Sequence, residues 1–349
     1  GTLFPYTTLF RSLSEMREKV ALARGRSAPW NLITLDAQFL FYECILYREK
    51  PIDSMEVFLE DIKTFNRKLD QLEKEAGQYN EPISTYWVHY TRARLLELTE
   101  DDPAREIEEN RKCIQVYETH PEKFTRRYLL NPTNNIGLIY YRESKFEDAY
   151  QIIKGSFERF PEDMATAWFL TDILAQICIT TDRTDEAETL LLNYHGLKQG
   201  EATDYFEAQF GLGTVLALID LLKGRLEDAF AKIQVAKRGL QKSNFYSLDA
   251  LLRFVENSLF LLENDYDMAM EQTKKNLKFH QYHNEHPLSA DFVAAHRMIP
   301  KLIKCHFDGQ NLSDEDLKSI EAFQKGDLAF AGKLLEKLIS NYTTDNQNL

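Results

Sequence analysis

The chain has 349 residues with only 14 Gly and 10 Pro, which suits helices and argues against an all-β fold. Its 55 acidic and 42 basic residues leave a net charge of −13; such a surface repels phosphate backbones, so direct nucleic-acid binding is not expected and cationic peptides are favoured. No apolar run reaches the roughly 18 residues that a membrane span needs.

The first twelve residues, GTLFPYTTLFRS, lack charge periodicity and a helical face. They resemble the translated read-through of a sequencing adapter and are set aside as non-native or disordered. Leu13 to Ala23 carries a short helical pattern, and Arg24 to Pro29 reads as a turn. Trp30 to Arg48 is a strongly apolar helix, with Trp30, Ile33, Phe41 and Ile45 among its members, and Pro51 breaks it. Asp53 then caps a long helix whose apolar residues Phe58, Ile62, Phe65, Leu69 and Leu72 alternate spacings of four and three, which places them on one stripe. Its charged end either projects or packs as an antiparallel hairpin. Gly77 to Pro82 is a loop, and Ile83 to Thr99 a helix with Ile83, Tyr86, Tyr90, Ala93 and Leu96 on one face. Asp102 followed by Pro103 starts the next helix, a side-chain acceptor before a residue with no amide to satisfy. That helix runs to Thr119. His120 to Leu130 is a short extra helix or irregular link, and Asn131 with Pro132 makes a second cap-plus-proline start.

From Asn135 to Pro161 the chain reads NIGLIYYRESKFEDAYQIIKGSFERFP. Two amphipathic helices meet there at a tight turn. Gly137 and Ala149 let the helix backbones approach, Tyr140 and Phe146 fill the remaining space, and Pro161 closes the unit. This arrangement resembles the tetratricopeptide repeat family. Four later turns carry the same alanine: Ala187 in DRTDEAETLLLNY, Ala229 in KGRLEDAFAKIQVA, Ala269 in ENDYDMAMEQTKKN and Ala331 in QKGDLAFAGKLLEK. The alanines follow one another at intervals of 38, 42, 40 and 62 residues, against a family period of about 34, so helices or loops are longer here. The last interval holds an added helix, Pro287 to Phe307, and a short one beginning near Ser313.

The resemblance implies an all-α fold, a right-handed superhelical solenoid of roughly six to eight hairpins that share one core. Its expected organisation is a helical region with degenerate repeats over 13–130, repeats over 131–283, capping helices with one partial repeat over 284–342 and a frayed tail over 343–349. In this family the first helix of each hairpin faces a concave groove. Residue by residue, that implies a peptide-binding groove formed by Asn131, Asn134, Leu138, Tyr141 and Arg142, and by Phe169, Asp172 and Gln176 of the next unit. An asparagine there holds a peptide backbone by paired donor and acceptor, while Tyr141 and Arg142 add stacking and a carboxylate contact. Only fragments of the family's Lys, Arg and Asn carboxylate clamp are present. The implied function is a non-catalytic scaffold for a protein or peptide segment, with no cofactor. The alternative is a peptide-sensing module of a larger bacterial signalling or transcriptional regulator.

Other local chemistry is better explained without a site. His280, His283, Glu285 and His286 in HQYHNEH lie close enough to suggest zinc or nickel, but the spacing matches no strong motif, and histidine is favoured at a helix C-terminus. Paired acids such as Glu100, Asp101 and Asp102 or Glu315 and Asp316 stand at helix starts. Lys274, Lys275 and Lys278 read as a solvated helix face. No GxSxG, HExxH or phosphate-cradling glycine loop occurs, so no enzyme is expected. Cys44, Cys113, Cys178 and Cys305 are far apart and inside predicted helices. They read as reduced core thiols of a reducing compartment, with the cytoplasm favoured.

Overall fold

A computed structural model describes residues 28–48, 55–99, 102–160, 168–198, 206–240, 246–284, 286, 288–321 and 323–343. Among these the secondary structure is helical throughout, with no strand. The expectations for the first twelve residues, the Leu13–Ala23 helix, Pro51, Asp53, Pro161, Pro287 and most of the tail lie outside the described residues. The chain forms two compact units, 1–139 and 140–349.

Unit 1 contains α1 (Pro29–Arg48), α2 (Met55–Tyr79), α3 (Pro82–Thr99) and α4 (Pro103–Thr119), then a 3₁₀ turn at Pro121–Lys123 and most of α5 (Arg127–Arg142). The long α2 does not project. Its stripe of Ile62, Phe65, Leu69, Leu72 and Ala76 is buried in one core with Ile33, Ala37, Leu40 and Cys44 of α1 and Val88 and Leu95 of α3. The helix also continues through Gly77, where a loop was expected. Asp102 caps α4 as its sequence implies, its carboxylate accepting from the Arg105 amide at 3.0 Å. Asn131 and Pro132 are a correction: α5 begins a turn earlier, and Pro132 sits inside it. A proline there removes one backbone bond. Thr133 still ties the turn locally, donating its hydroxyl to the Leu129 carbonyl at 2.8 Å.

Unit 2 contains the end of α5, then α6 (Phe146–Arg159), α7 (Trp168–Thr180), α8 (Thr184–Lys198), α9 (Phe206–Lys223), α10 (Leu226–Leu240), α11 (Tyr246–Leu262), α12 (Tyr266–Tyr282), α13 (Ser289–Asp308), α14 (Asp314–Glu321) and α15 (Ala329–Thr343). Four hairpin turns repeat one geometry. Ser144, Asp182, Gly224 and Asn264 are left-handed, with φ of 59°, 61°, 76° and 60°. The next amide in each reaches back to close the helix: Lys145 to Tyr140 at 2.8 Å, Arg183 to Cys178 at 2.7 Å, Arg225 to Asp220 at 2.9 Å and Asp265 to Phe260 at 2.9 Å. This satisfies carbonyls that a helix end otherwise leaves orphaned. The repeat alanine always comes five residues after the left-handed residue. Ala149, Ala187, Ala229 and Ala269 are fully buried there, where a larger side chain would hold the helices apart. Gly326, at φ 64°, and the buried Ala331 keep the same spacing.

The first helices α7, α9 and α11 pack on one another. The last helix, α15, lies against α7, α9, α11 and α13. Its polar anchors meet the C-terminal ends of those first helices. Lys337 donates to the Leu222 carbonyl at 2.7 Å, and Tyr342 donates its hydroxyl to the Leu261 carbonyl. Lys333 pairs with Asp182 at 3.1 Å. Cations and donors are stabilised at such ends, where the carbonyls and the helix dipole are negative. Between these anchors Phe330, Leu334, Leu335 and Leu338 are buried.

One layer of unit 2 holds two buried histidines. His280 of α12 is turned into the core, its Nδ1 2.6 Å from the Tyr246 hydroxyl, and its ring is 5.2 Å from that of His296 on α13. Burial disfavours the charged imidazoles and pushes His280 down to about 4 and His296 down to about 3. The unfolded chain therefore binds more protons than the folded one below its ordinary histidine range. Stability contributed by these groups is present above about pH 6.5 and is lost as pH falls through about 4. Thermal melts between pH 7 and 4.5 should show a falling midpoint, and His296→Gln should flatten that slope.

Candidate functional site

The repeated turn gives a common count along the first helices. Ten residues before the left-handed residue stand Asn134, Asp172, Thr214 and Phe254; six before it stand Leu138, Gln176, Leu218 and Ser258. Within unit 2 this stripe changes character. Thr214 and Leu218 on α9 and Phe254 and Ser258 on α11 are fully buried. Phe254 meets Phe323, which precedes α15, edge-on at 5.3 Å, and Phe323 meets Phe292 of α13 at 5.7 Å. The inner face of α11 is thus filled by the chain itself. On α7, by contrast, Asp172 and Gln176 are only half-buried. Gln176 donates to the Asp172 carboxylate at 3.0 Å. Burial pushes that carboxyl up to about 6, and the single amide bond offsets the rise only in part. The Phe169 side chain lies outside the described residues.

Tyr141 and Arg142, expected to face a ligand, are engaged in cis. The Tyr141 ring is buried, at 1% exposure, so its face is not open for stacking. Its oxygen accepts from the Phe330 amide of α15 at 3.1 Å and its hydrogen goes to Thr180 Oγ1 at 3.1 Å. Thr180 in turn donates to the Gln176 carbonyl at 2.9 Å, which fixes the direction of every proton in the chain. Arg142 does contact a carboxylate, but it is that of Asp327, at 3.2 Å, just before α15. Sequence reasoning missed Thr180, Asp327 and Lys333 as parts of this arrangement; Gly326, with its turn spacing to Ala331, was the one signal near them.

On α5, Asn131, Asn134 and Leu138 are half-buried and follow one another at helical intervals along one face. The Asn134 side-chain oxygen has no hydrogen-bond partner among the described residues. That oxygen is itself buried, so it is not open to a ligand.

The remaining candidates take ordinary places. His286 accepts from the Leu288 amide at 3.2 Å and His283 ends α12, so neither joins the buried His280 as a ligand set. Glu285 lies outside the described residues. Among the described residues no group of three His, Cys, Asp or Glu side chains converges on a metal position. Lys274, Lys275 and Lys278 are exposed on α12, with Lys275 bound to Glu271 at 2.6 Å. All four cysteines are buried free thiols. Burial pushes Cys44 and Cys178 up to about 12, which removes the thiolate that nucleophilic chemistry requires. No helix among the described residues is long and apolar enough to cross a membrane.

The sequence matches no family model, and no curated protein matches it. Among solved structures the chain is similar to NprR in complex with its cognate peptide NprX, with a TM-score of 0.54 and 11% identity over 97% of each chain. At that identity the likeness is one of fold.

Proposed function

We propose that this chain is a non-catalytic module that binds a peptide along the inner stripe of its first helices. The observation that carries the reading is the contrast within unit 2. The inner stripe is filled in cis on α9 and α11 but left half-open and polar on α7, at Asp172 and Gln176. An extended segment is recognised by such a surface through amide and carboxylate side chains rather than through a closed pocket. The structural neighbour was solved with its cognate peptide, which favours a peptide as ligand for this fold.

A regulatory role for the module is favoured by one further observation. Gln176 is joined through Thr180 and Tyr141 to the Phe330 amide in the first turn of α15. A ligand that reorients α7 would therefore strain the attachment of the last helix, a ready means of signalling occupancy to a larger assembly. The buried, unreactive thiols favour a reducing compartment, and we place the protein in the cytoplasm.

Short linear peptides selected from a random library by panning on the full chain provide the test. Gln176→Lys should weaken the selected peptide roughly tenfold or more while far-UV circular dichroism stays unchanged. Equal affinity in that variant would remove α7 from the binding surface. Failure of any peptide to bind would remove the reading itself.

A further inference from the structure

We infer that Asp172 is the cation-recognising position of this surface, and that the peptide it takes carries a lysine, an arginine or a free terminal ammonium at the point that meets α7. The inference rests on the peptide-binding reading above and sharpens it. A half-buried carboxylate is costly to keep charged unless a cation or several donors serve it. Asp172 has one donor, the Gln176 amide at 3.0 Å.

The described cations on the elements packed against α7 are engaged elsewhere. On α6, Lys154 is bound to Glu186 of α8, and Arg159 lies over Phe160 at 5.2 Å. Arg183, ahead of α8, pairs with Glu147 at 2.7 Å. Lys223 at the end of α9 meets Glu188 at 2.5 Å and also Asp185. On α15, Lys333 meets Asp182 at 3.1 Å and Glu336 at 3.4 Å, and Lys337 is held on the Leu222 carbonyl at 2.7 Å. The titrating neighbour that feels Asp172 is the buried Tyr141 hydroxyl, which is also close enough to feel Asp327. No cation pairs with Asp172 among the described residues, and a ligand cation would fill that place.

Position along the helix agrees. Asp172 lies eight residues before Thr180, where α15 is anchored, or about 12 Å at 1.5 Å per residue. The last helix therefore attaches well along α7 from the carboxylate. The chain's net charge of −13 draws cationic ligands toward it at long range.

The test uses the full chain and linear random peptides. Panning should enrich lysine, arginine or a required free amino terminus. For the best selected peptide, Asp172→Asn should lower affinity tenfold or more at pH 7.5. Replacing the peptide's basic residue by norleucine, or acetylating its amino terminus, should do the same. The two changes together should cost no more than either alone, the mark of a direct pair. Lowering the pH from 7.5 to 5 should weaken the wild-type complex and leave the Asp172→Asn complex unchanged.

Stability gives a readout that a structural role would move the other way. The carboxyl is raised on folding, so the folded chain loses stability as pH rises through the carboxyl range. Asp172→Asn should therefore leave the thermal midpoint at pH 7.5 unchanged or higher. A lower midpoint, or peptides that bind both forms equally and without a basic residue, would overturn the inference and leave peptide binding intact. No selectable peptide at all would overturn both.

Discussion

Ending the chain after Lys325 should abolish the cooperative unfolding transition of residues 140–349. The segment removed is α15, and the loss is not that of a peripheral helix. Phe330, Leu334, Leu335, Leu338 and Tyr342 are all buried in the intact chain. Each large apolar side chain taken from water contributes about 1.5–3 kcal/mol, so the five together are worth on the order of 10 kcal/mol. That is comparable with the whole stability of a typical domain, about 5–15 kcal/mol. Truncation also uncovers α7, α9, α11 and α13 where α15 lies on them, and leaves the Leu222 and Leu261 carbonyls without their Lys337 and Tyr342 donors. Urea titration followed by circular dichroism should show a broad, early loss of helix. A midpoint within a few tenths molar of the full chain would make α15 an accessory.

Gly332→Ala should destabilise the same region without removing any contact. A β-carbon at this position would stand 2.9 Å from the Gln324 α-carbon and 2.9 Å from the Phe323 carbonyl oxygen. Both are backbone atoms, so no side chain can swing away to make room. The chain must instead move between α14 and α15, and Phe323 moves with it. That ring is fully buried against Phe254 and Phe292. Overpacking of this kind costs about 1–3 kcal/mol and sometimes more, against a gain of up to about 1 kcal/mol from replacing glycine inside a helix. A lowered thermal midpoint is therefore expected. Unchanged stability would mean that the segment at 323–324 yields freely and does not hold α15 in place.

The repeat was readable because close helix approach demands one small residue at a fixed place, and alanine records it. Ala149, Ala187, Ala229, Ala269 and Ala331 all occupy that place. The turn that sets the spacing was less readable. Only Gly224 and Gly326 announce a left-handed residue, while Ser144, Asp182 and Asn264 adopt the same conformation without a glycine. Asn131 and Pro132 carry a genuine helix-start signal, yet α5 begins earlier because the local signal does not prevent a proline inside a helix from being tolerated.

The site was half legible for a related reason. The resemblance to the repeat family implied a groove position for Tyr141, Arg142, Asp172 and Gln176. It does not tell what covers those positions. Tyr141 and Arg142 are met by Phe330 and Asp327, residues 189 and 185 positions away in sequence, and no local pattern encodes so distant a partner. Asp172 and Gln176 lie farther from the anchor of the last helix and remain half-open.

The most direct test places a photo-reactive benzoylphenylalanine in a panning-selected peptide and maps its adducts on the full chain by mass spectrometry. Adducts concentrated on the inner stripe of α7, around Asp172 and Gln176, are the predicted result. Adducts confined to the second helices α8, α10 and α12 would contradict an inner-stripe binding surface.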